Sequence, residues 1–426
     1  MPHNSLPSSE LYRDEVTKRP VSPASAPRAL NPASTFDRLC LRSLARALRG
    51  VPLRIAFGDT IEAVASAAPP VATVRVHDRP TLARLVTSPD LGFGEGYMDG
   101  RLDVDGDLVA LLEQVYRHQL ESPRRARPVD WLRRWRNSNP VTRARNNVRR
   151  HYDLGNDFYR LWLDREMVYT CAYFANPDMT LEEAQAAKLE HVARKLNLRA
   201  GETVFEAGCG WGSLSLYLAR HYGVRVRAWN VSREQIIWAR ARAAAEGLAD
   251  QVEFIEDDYR RIRGTCDAFV SVGMLEHVGR RQYPMLGEVI DRCLHPSHGR
   301  GLLHFIGRNT PAATSAWISK YIFPGAYIPS LRESLSGVLE PRGLSILDVE
   351  NLRRHYAATL AEWLARFENA ADEVRAMFDE RFVRMWRLYL AGSQAGFLSG
   401  SLQLFQVTFA RRSNNEMPLT RRALYQ

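Results

Sequence analysis

The chain has 426 residues, 45% apolar and 25% charged, with a formal net charge of +10. That length suits two or three domains with cores of their own, and that composition is ordinary for a soluble globular protein. No run of about 18 apolar residues predicts a membrane-spanning helix, and no charged-then-apolar leader opens the chain. The five cysteines are irregularly spaced without a CxxC pair, so no metal site or disulfide framework is expected and a reducing cytoplasm fits best.

Residues 1–33 are rich in Pro, Ser and Ala and predict a disordered tail. Helical spacing follows over 36–49. Residues 51–118 predict a small mixed unit, with strands at Leu53–Phe57 and Ala72–Val76 and a helix near 107–118. Between them, Gly92-Phe-Gly-Glu-Gly-Tyr-Met-Asp-Gly100 reads as a run of turns. From residue 148 helices and strands alternate. Thr180-Leu-Glu-Glu183 is a capping box that opens a helix to about Asn197, and Ser232-Arg-Glu-Gln235 is a second. Strands are predicted at 203–207, 224–229, 252–257, 268–273 and 300–306, with helices at 212–221, 232–246 and 281–294. Such alternation implies βαβ units and a mostly parallel, doubly wound α/β sheet. Residues 355–391 predict aromatic-rich helices, and Leu402–Phe409 a closing strand. The expected division is a tail (1–33), a small N-terminal domain (34–120), a basic linker (121–147) and a large α/β domain (148–426).

Residues 121–150 hold ten arginines against Glu121 and Asp130. With Trp131, Leu132 and Trp135 interleaved, this stretch suits an anionic membrane surface, arginines at the phosphates and indoles at the interface. A solvated linker and a nucleic-acid contact are the other readings of the same residues. The excess of arginine over lysine across the chain is ascribed to coding bias instead.

Val204-Phe-Glu206-Ala-Gly208-Cys-Gly210-Trp-Gly212 reads as an apolar strand that breaks into a glycine-rich turn and opens a helix. Alternate glycines let the backbone turn tightly and let a ligand lie against it. The helix start offers free N–H groups to a carboxylate. The even spacing and the leading acid differ from the dinucleotide fingerprint Gly-x-Gly-x-x-Gly. The stretch resembles the S-adenosylmethionine (SAM) loop of Rossmann-like methyltransferases.

Five further segments narrow the resemblance: His151-Tyr-Asp-Leu-Gly-Asn-Asp157, Tyr169-Thr-Cys-Ala-Tyr-Phe174, Gly273-Met-Leu-Glu-His-Val-Gly279, Leu303-His-Phe-Ile-Gly307 and Trp317-Ile-Ser-Lys-Tyr-Ile-Phe-Pro324. With the glycine loop, in this order and spacing, they resemble the cyclopropane-fatty-acid-phospholipid synthase family over about residues 90–411. The resemblance implies a Rossmann-like SAM-methyltransferase catalytic domain over 148–426. It implies SAM at Tyr169, Thr170, Glu206, Gly208, Gly210, Asn230, Gln235, Asp258 and Tyr259. Family members often carry Thr where Asn230 stands.

The resemblance also implies a chemistry. An acyl-chain alkene attacks the sulfonium methyl, a carbocation forms on the chain, and loss of a proton closes a cyclopropane ring. The family's base is a bound bicarbonate, and its cage maps onto Cys171, Glu276, His304, the backbone of Ile306 and Tyr356. Each of these has a plainer alternative, such as a buried thiol, a polar loop or a core histidine. Tyr169, Tyr173, Phe174, Trp317, Tyr321 and Phe323 are candidate aromatic walls for a cation, with core packing the alternative for at least half. The implied partners are an unsaturated phospholipid and, transiently, an anionic membrane surface at the inner face of the cell membrane, with no nucleic acid. Family members are often homodimers.

Three other functions compete. The same cation could yield a methyl- or methylene-branched acyl chain. Small-molecule or RNA-base methylation is more remote, because Ser271-Val-Gly-Met-Leu-Glu-His-Val stands where base N-methylation uses Asn/Asp-Pro-Pro-aromatic. A catalytically dead binding module is disfavoured by the complete glycine loop.

Overall fold

The computed structural model describes residues 34–58, 61–121 and 154–425. The N-terminal tail, the arginine-rich segment with Trp131 and Trp135, and His151-Tyr-Asp153 lie outside the described residues. Two compact units are present. One comprises the N-terminal segment together with Ser315–Ile322 and Leu360–Ser401, the other the remainder of the chain. The continuous domain expected over 148–426 is therefore interrupted twice.

In the first unit a four-stranded sheet has the order β2-β1-β3-β4, from β1 (Leu53–Phe57), β2 (Ile61–Val64), β3 (Ala72–Val76) and β4 (Leu102–Gly106). Only β1 and β3 run parallel. The glycine-rich stretch before β4 is not a run of turns but the helix Pro89–Met98. Packing requires its glycines. A Cβ at Gly92 would lie 2.7 Å from the Arg84 carbonyl carbon, one at Gly94 2.2 Å from Trp317, and one at Gly96 2.8 Å from Thr81. Three neighbours thus press against this helix at distances only glycine allows. Glu95, buried in the same helix, takes Arg84 at 2.6 Å, Lys320 at 2.7 Å and the Tyr321 hydroxyl at 2.9 Å. Burial alone would raise its pKa, but these donors hold it below the usual carboxylate value.

The second unit is built on a seven-stranded sheet, order β10-β11-β9-β8-β5-β6-β7. Its strands are β5 (Thr203–Ala207), β6 (Arg225–Asn230), β7 (Val252–Glu256), β8 (Ala268–Val272), β9 (Arg300–Gly307), β10 (Leu344–Asn351) and β11 (Gln403–Arg411). The β9-β8-β5-β6-β7 block is parallel, and β11 and β10 add antiparallel on its edge. All of β8 is buried, as a parallel strand covered on both faces must be. Successive side chains alternate between two cores: Phe205 and Phe269 enter one, Val204, Ala268 and Val270 the other. The β10 strand was missed in the sequence, since only Leu344 of its eight residues is buried.

The capping box at Thr180 is present and opens the helix Leu181–Leu196. The one at Ser232 is half formed: the serine accepts from the Gln235 N–H, but the Gln235 side chain turns to Asn230 instead. Among the described residues no helix is long and apolar enough to cross a membrane, no metal-binding cluster occurs, and the five cysteines are free and buried.

Candidate active site

Strand order reverses at β5: β6 lies on one side and β8 on the other. In an open α/β sheet the crevice at the carboxyl ends of such strands receives ligands. A cleft opens there, lined by residues at the ends of β5 (Glu206, Gly208–Trp211, Ser213 and Leu214), β6 (Trp229–Val231 and Gln235), β7 (Asp257–Arg260) and β8 (Val272–Met274, His277 and Val278). Met167–Thr170 and Lys188 complete it. All nine residues expected to meet SAM line this one cleft.

Gly208, Gly210 and Gly212 have φ of +86°, +53° and +89°, a region that penalises any Cβ. Their surroundings differ. A Cβ at Gly212 would meet Phe254 at 2.6 Å, and one at Gly208 would meet Met274 at 3.0 Å, but one at Gly210 would meet no atom within 4 Å. Gly210 is therefore the glycine whose missing side chain faces open cleft. Asn230 Nδ2 bonds Gln235 Oε1 at 2.7 Å and the Gly210 carbonyl at 3.2 Å. This leaves Gln235 Nε2 buried without a partner, and the Tyr259 hydroxyl is likewise buried and unpartnered. Two unsatisfied donors on residues that line the cleft suit a ligand bearing hydroxyl and ring-nitrogen acceptors, as SAM does. Asp258 behaves differently. It caps a short turn and binds Arg260 through both oxygens.

Glu206 is buried and accepts from the Ser215 hydroxyl. Burial pushes it up to about 7, against the pull of Ser215 and of the Lys188 charge. Lys188, absent from the expected set, bonds Thr170 Oγ1 at 3.0 Å. The sequence did carry a signal for it, a charged residue on the buried stripe of an amphipathic helix. Asn156, within the His151–Asp157 motif, has no role assigned to it by the resemblance. It accepts from the Trp211 indole at 2.8 Å and ties the 154–170 segment over the glycine loop. Tyr169 packs 5.5 Å from Tyr159 and 5.1 Å from Trp162.

None of the five residues of the expected base cage lines this cleft, although Cys171 follows the lining residue Thr170 and Glu276 stands between the lining residues Met274 and His277. Cys171 follows Thr170 and is fully buried, its thiol raised by burial and directed at the Ala172 carbonyl. His304 and Ile306 share one face of β9, and the His304 carbonyl accepts from Gly273 at 2.8 Å. The short helix Leu275–Val278 brings in Glu276, whose Oε1 accepts the Ile306 N–H at 2.5 Å. Tyr356 lies in the first turn after Leu352, whose carbonyl is 4.0 Å from the Cys171 thiol. Gln406 on β11 donates to His304 Nδ1 at 3.1 Å, so in this arrangement Nε2 carries the proton. Burial lowers the His304 pKa well below the usual value and keeps the ring neutral. Burial raises Glu276 to about 7.

Glu276 Oε2 and His304 Nε2 are both buried without a partner. One accepts and one donates. That pair fits a small group with both a hydroxyl and acceptor oxygens, which bicarbonate is.

The aromatic walls are mostly packing. Tyr173 stacks between His191 and His355 at 4.3 and 4.8 Å. Phe174 is held by its N–H on His355. Trp317 and Tyr321 pack on the glycine-rich helix of the first unit. Tyr169 alone of the six lines the cleft, and Phe323 meets the His277 ring at 5.4 Å.

A parallel sheet with an acidic-x-Gly-x-Gly-x-Gly turn, a cleft at its switch point and unsatisfied donors within it defines a SAM-dependent methyltransferase. The family model described as mycolic acid cyclopropane synthetase matches residues 140–407, and a domain of unknown function matches 40–125. The chain belongs to that synthetase family. It is 38% identical to the cyclopropane-fatty-acyl-phospholipid synthase of Escherichia coli K12, over 82% of this chain and 91% of that one. It is 35% identical to the tuberculostearic acid methyltransferase of Mycobacterium tuberculosis, over 96% and 98%. A crystal structure of a mycolic acid cyclopropane synthase with bound SAH and CTAB aligns at a TM-score of 0.60 and 30% identity, covering 63% of this chain and 98% of that one.

Proposed function

We propose that the protein transfers a methylene group from SAM to the cis double bond of an unsaturated acyl chain in a membrane phospholipid, forming a cyclopropane ring. SAM supplies the electrophilic sulfonium methyl. Tyr169, Thr170, Glu206, Gly208, Gly210, Asn230, Gln235, Asp258 and Tyr259 hold it. Bicarbonate supplies the base that removes the proton on ring closure. Cys171, Glu276, His304, the backbone of Ile306 and Tyr356 form its cage, and general-base positioning is their task.

The observation that carries this reading is the pair of buried, unpartnered atoms, Glu276 Oε2 and His304 Nε2. Leaving two such groups unsatisfied costs on the order of 1–3 kcal/mol each, which a ligand accepting one bond and donating the other relieves. The arginine-rich segment 121–147 serves transient docking on an anionic bilayer at the inner face of the membrane.

A second reading is a methyl- or methylene-branched product. It is favoured by the 35% identity, over 88% of this chain, to a probable fatty acid methyltransferase of Pseudomonas putida. Incubation with SAM and vesicles of unsaturated phospholipid tests both. Mass spectrometry should show a gain of one CH2, and NMR should show cyclopropane protons. A vinylic or branched methyl signal would select the second reading, and no mass gain would refute both.

A further inference from the structure

Lys188 lies on the buried stripe of the helix Leu181–Leu196 and is 2% exposed. Lys195, two turns on, is paired with Glu350 at 2.5 Å. Lys188 has no ion-pair partner among the described residues, and its one hydrogen bond goes to Thr170 Oγ1 at 3.0 Å. Buried charges are ordinarily paired, because an unpaired one is costly to desolvate. This one lines the cleft beside Glu206 and Gly208.

An ammonium only donates, so Thr170 Oγ1 must accept from it. The hydroxyl's own proton is then free to point elsewhere, and the Thr170 side chain has no other partner. The titratable groups around Lys188 are Asp164, Cys171, Glu206 and His304. Asp164 is engaged by the N–H groups of Val168 at 2.8 Å and Glu166 at 3.0 Å. Glu206 is engaged by Ser215.

We propose that Lys188 is the positioning residue for the amino-acid end of the cofactor. It turns the Thr170 hydroxyl proton into the cleft toward the carboxylate, and its own charge and free N–H groups complete that anchorage. The inference rests on the cleft being the SAM site. It is independent of the lipid product.

Burial lowers Lys188 to about 8, with Asp164, Cys171 and Glu206 opposing the fall. A bound carboxylate favours the charged form, so binding just above pH 8 should draw a proton onto Lys188.

The test is calorimetry with two probes, S-adenosylhomocysteine and 5′-methylthioadenosine. The second lacks the carboxylate and ammonium. Lys188→Met should weaken S-adenosylhomocysteine roughly 10- to 100-fold, the scale of a charge-assisted bond, and leave methylthioadenosine unchanged. At pH 8.5 the wild type should take up more protons than the variant on binding S-adenosylhomocysteine, read from the buffer dependence of the enthalpy. Thr170→Val should show the same selectivity, and the double variant should lose less than the sum. Lys188→Met should also melt no lower than wild type, since an unpaired buried charge has gone.

Unchanged S-adenosylhomocysteine affinity, equal weakening of both probes, or identical proton uptake would overturn the proposal. Failure of the wild type to bind either probe would instead refute the cofactor assignment of the cleft.

Discussion

Glu276 accepts the backbone N–H of Ile306 at 2.5 Å, across thirty residues of chain. This one bond sets the short helix after β8 against the end of β9. It fixes one carboxylate oxygen and leaves the other buried and unpartnered. Replacing Glu276 with Gln keeps an acceptor for Ile306 but puts a donor or a misplaced oxygen where the second acceptor stood. Turnover should fall on the order of 100-fold or more, with SAM affinity unchanged. Product formation by mass spectrometry and calorimetry with SAM measure the two. Full activity in this variant, or no bicarbonate dependence in carbonate-depleted buffer, would rule the cage out.

Stability should depend on pH in a defined direction. Burial raises Glu276 and Glu206 each from 4.5 to about 7. Between those values the folded protein keeps protons that the unfolded chain has released. Their contribution is therefore fully present below about 4.5 and is lost as pH rises through about 7. Glu276→Gln cannot ionise and should escape its share of that loss. Its melting temperature should exceed the wild type's at pH 8, and the gap should narrow towards pH 5. A gap constant across that range would mean the shift is absent.

Gly208 and Gly210 should separate when substituted. An alanine Cβ at Gly210 meets no protein atom and projects into the cleft, at a φ of +53°. It should cost about 1 kcal/mol in stability and weaken SAM binding strongly. A valine at Gly208 would press on Met274, whose Cβ is 3.0 Å from the new atom. Its loss of binding should accompany a larger loss of stability. Thermal melts and SAM titrations on both variants test this, and equal melting temperatures would contradict it.

Gly94→Ala should destabilise the first unit by about 1–3 kcal/mol, the usual scale of overpacking. The new Cβ would lie 2.2 Å from the Trp317 ring, whose indole N–H bonds Met98 Sδ at 3.0 Å. Urea titration followed by tryptophan fluorescence reads it out. A loss below about 0.5 kcal/mol would show that Trp317 moves aside freely.

Neutralising Arg133, Arg134 and Arg136 should reduce co-sedimentation with anionic vesicles and leave SAM affinity intact. Each basic residue contributes roughly 1 kcal/mol near such a surface, and the effect is screened within about 10 Å in 0.1 M salt. Binding should also weaken as salt rises. Equal binding to neutral and anionic vesicles, unaltered by the substitutions, would make the segment a linker only.

Local chemistry was legible in the sequence. The strand-turn-helix at Val204–Leu214 and the cap at Thr180 depend on residues a few positions apart, so the chain order contains them. The alternation of elements gave the parallel sheet, and the ordered motifs gave the family. What tertiary structure decided was the purpose of residues whose partners are remote. Gly92, Gly94 and Gly96 look like turn residues until Trp317 and Thr81 are seen pressing on a helix. Tyr173 looks like a cation wall until two histidines stack on it. Lys188 falls on the apolar stripe of its helix in the sequence, but its bond to Thr170 appears only in the fold. Periodicity and turn chemistry act over a few residues and survive in the sequence. Close packing and buried hydrogen bonds join residues tens to hundreds apart, and only the folded chain brings them together.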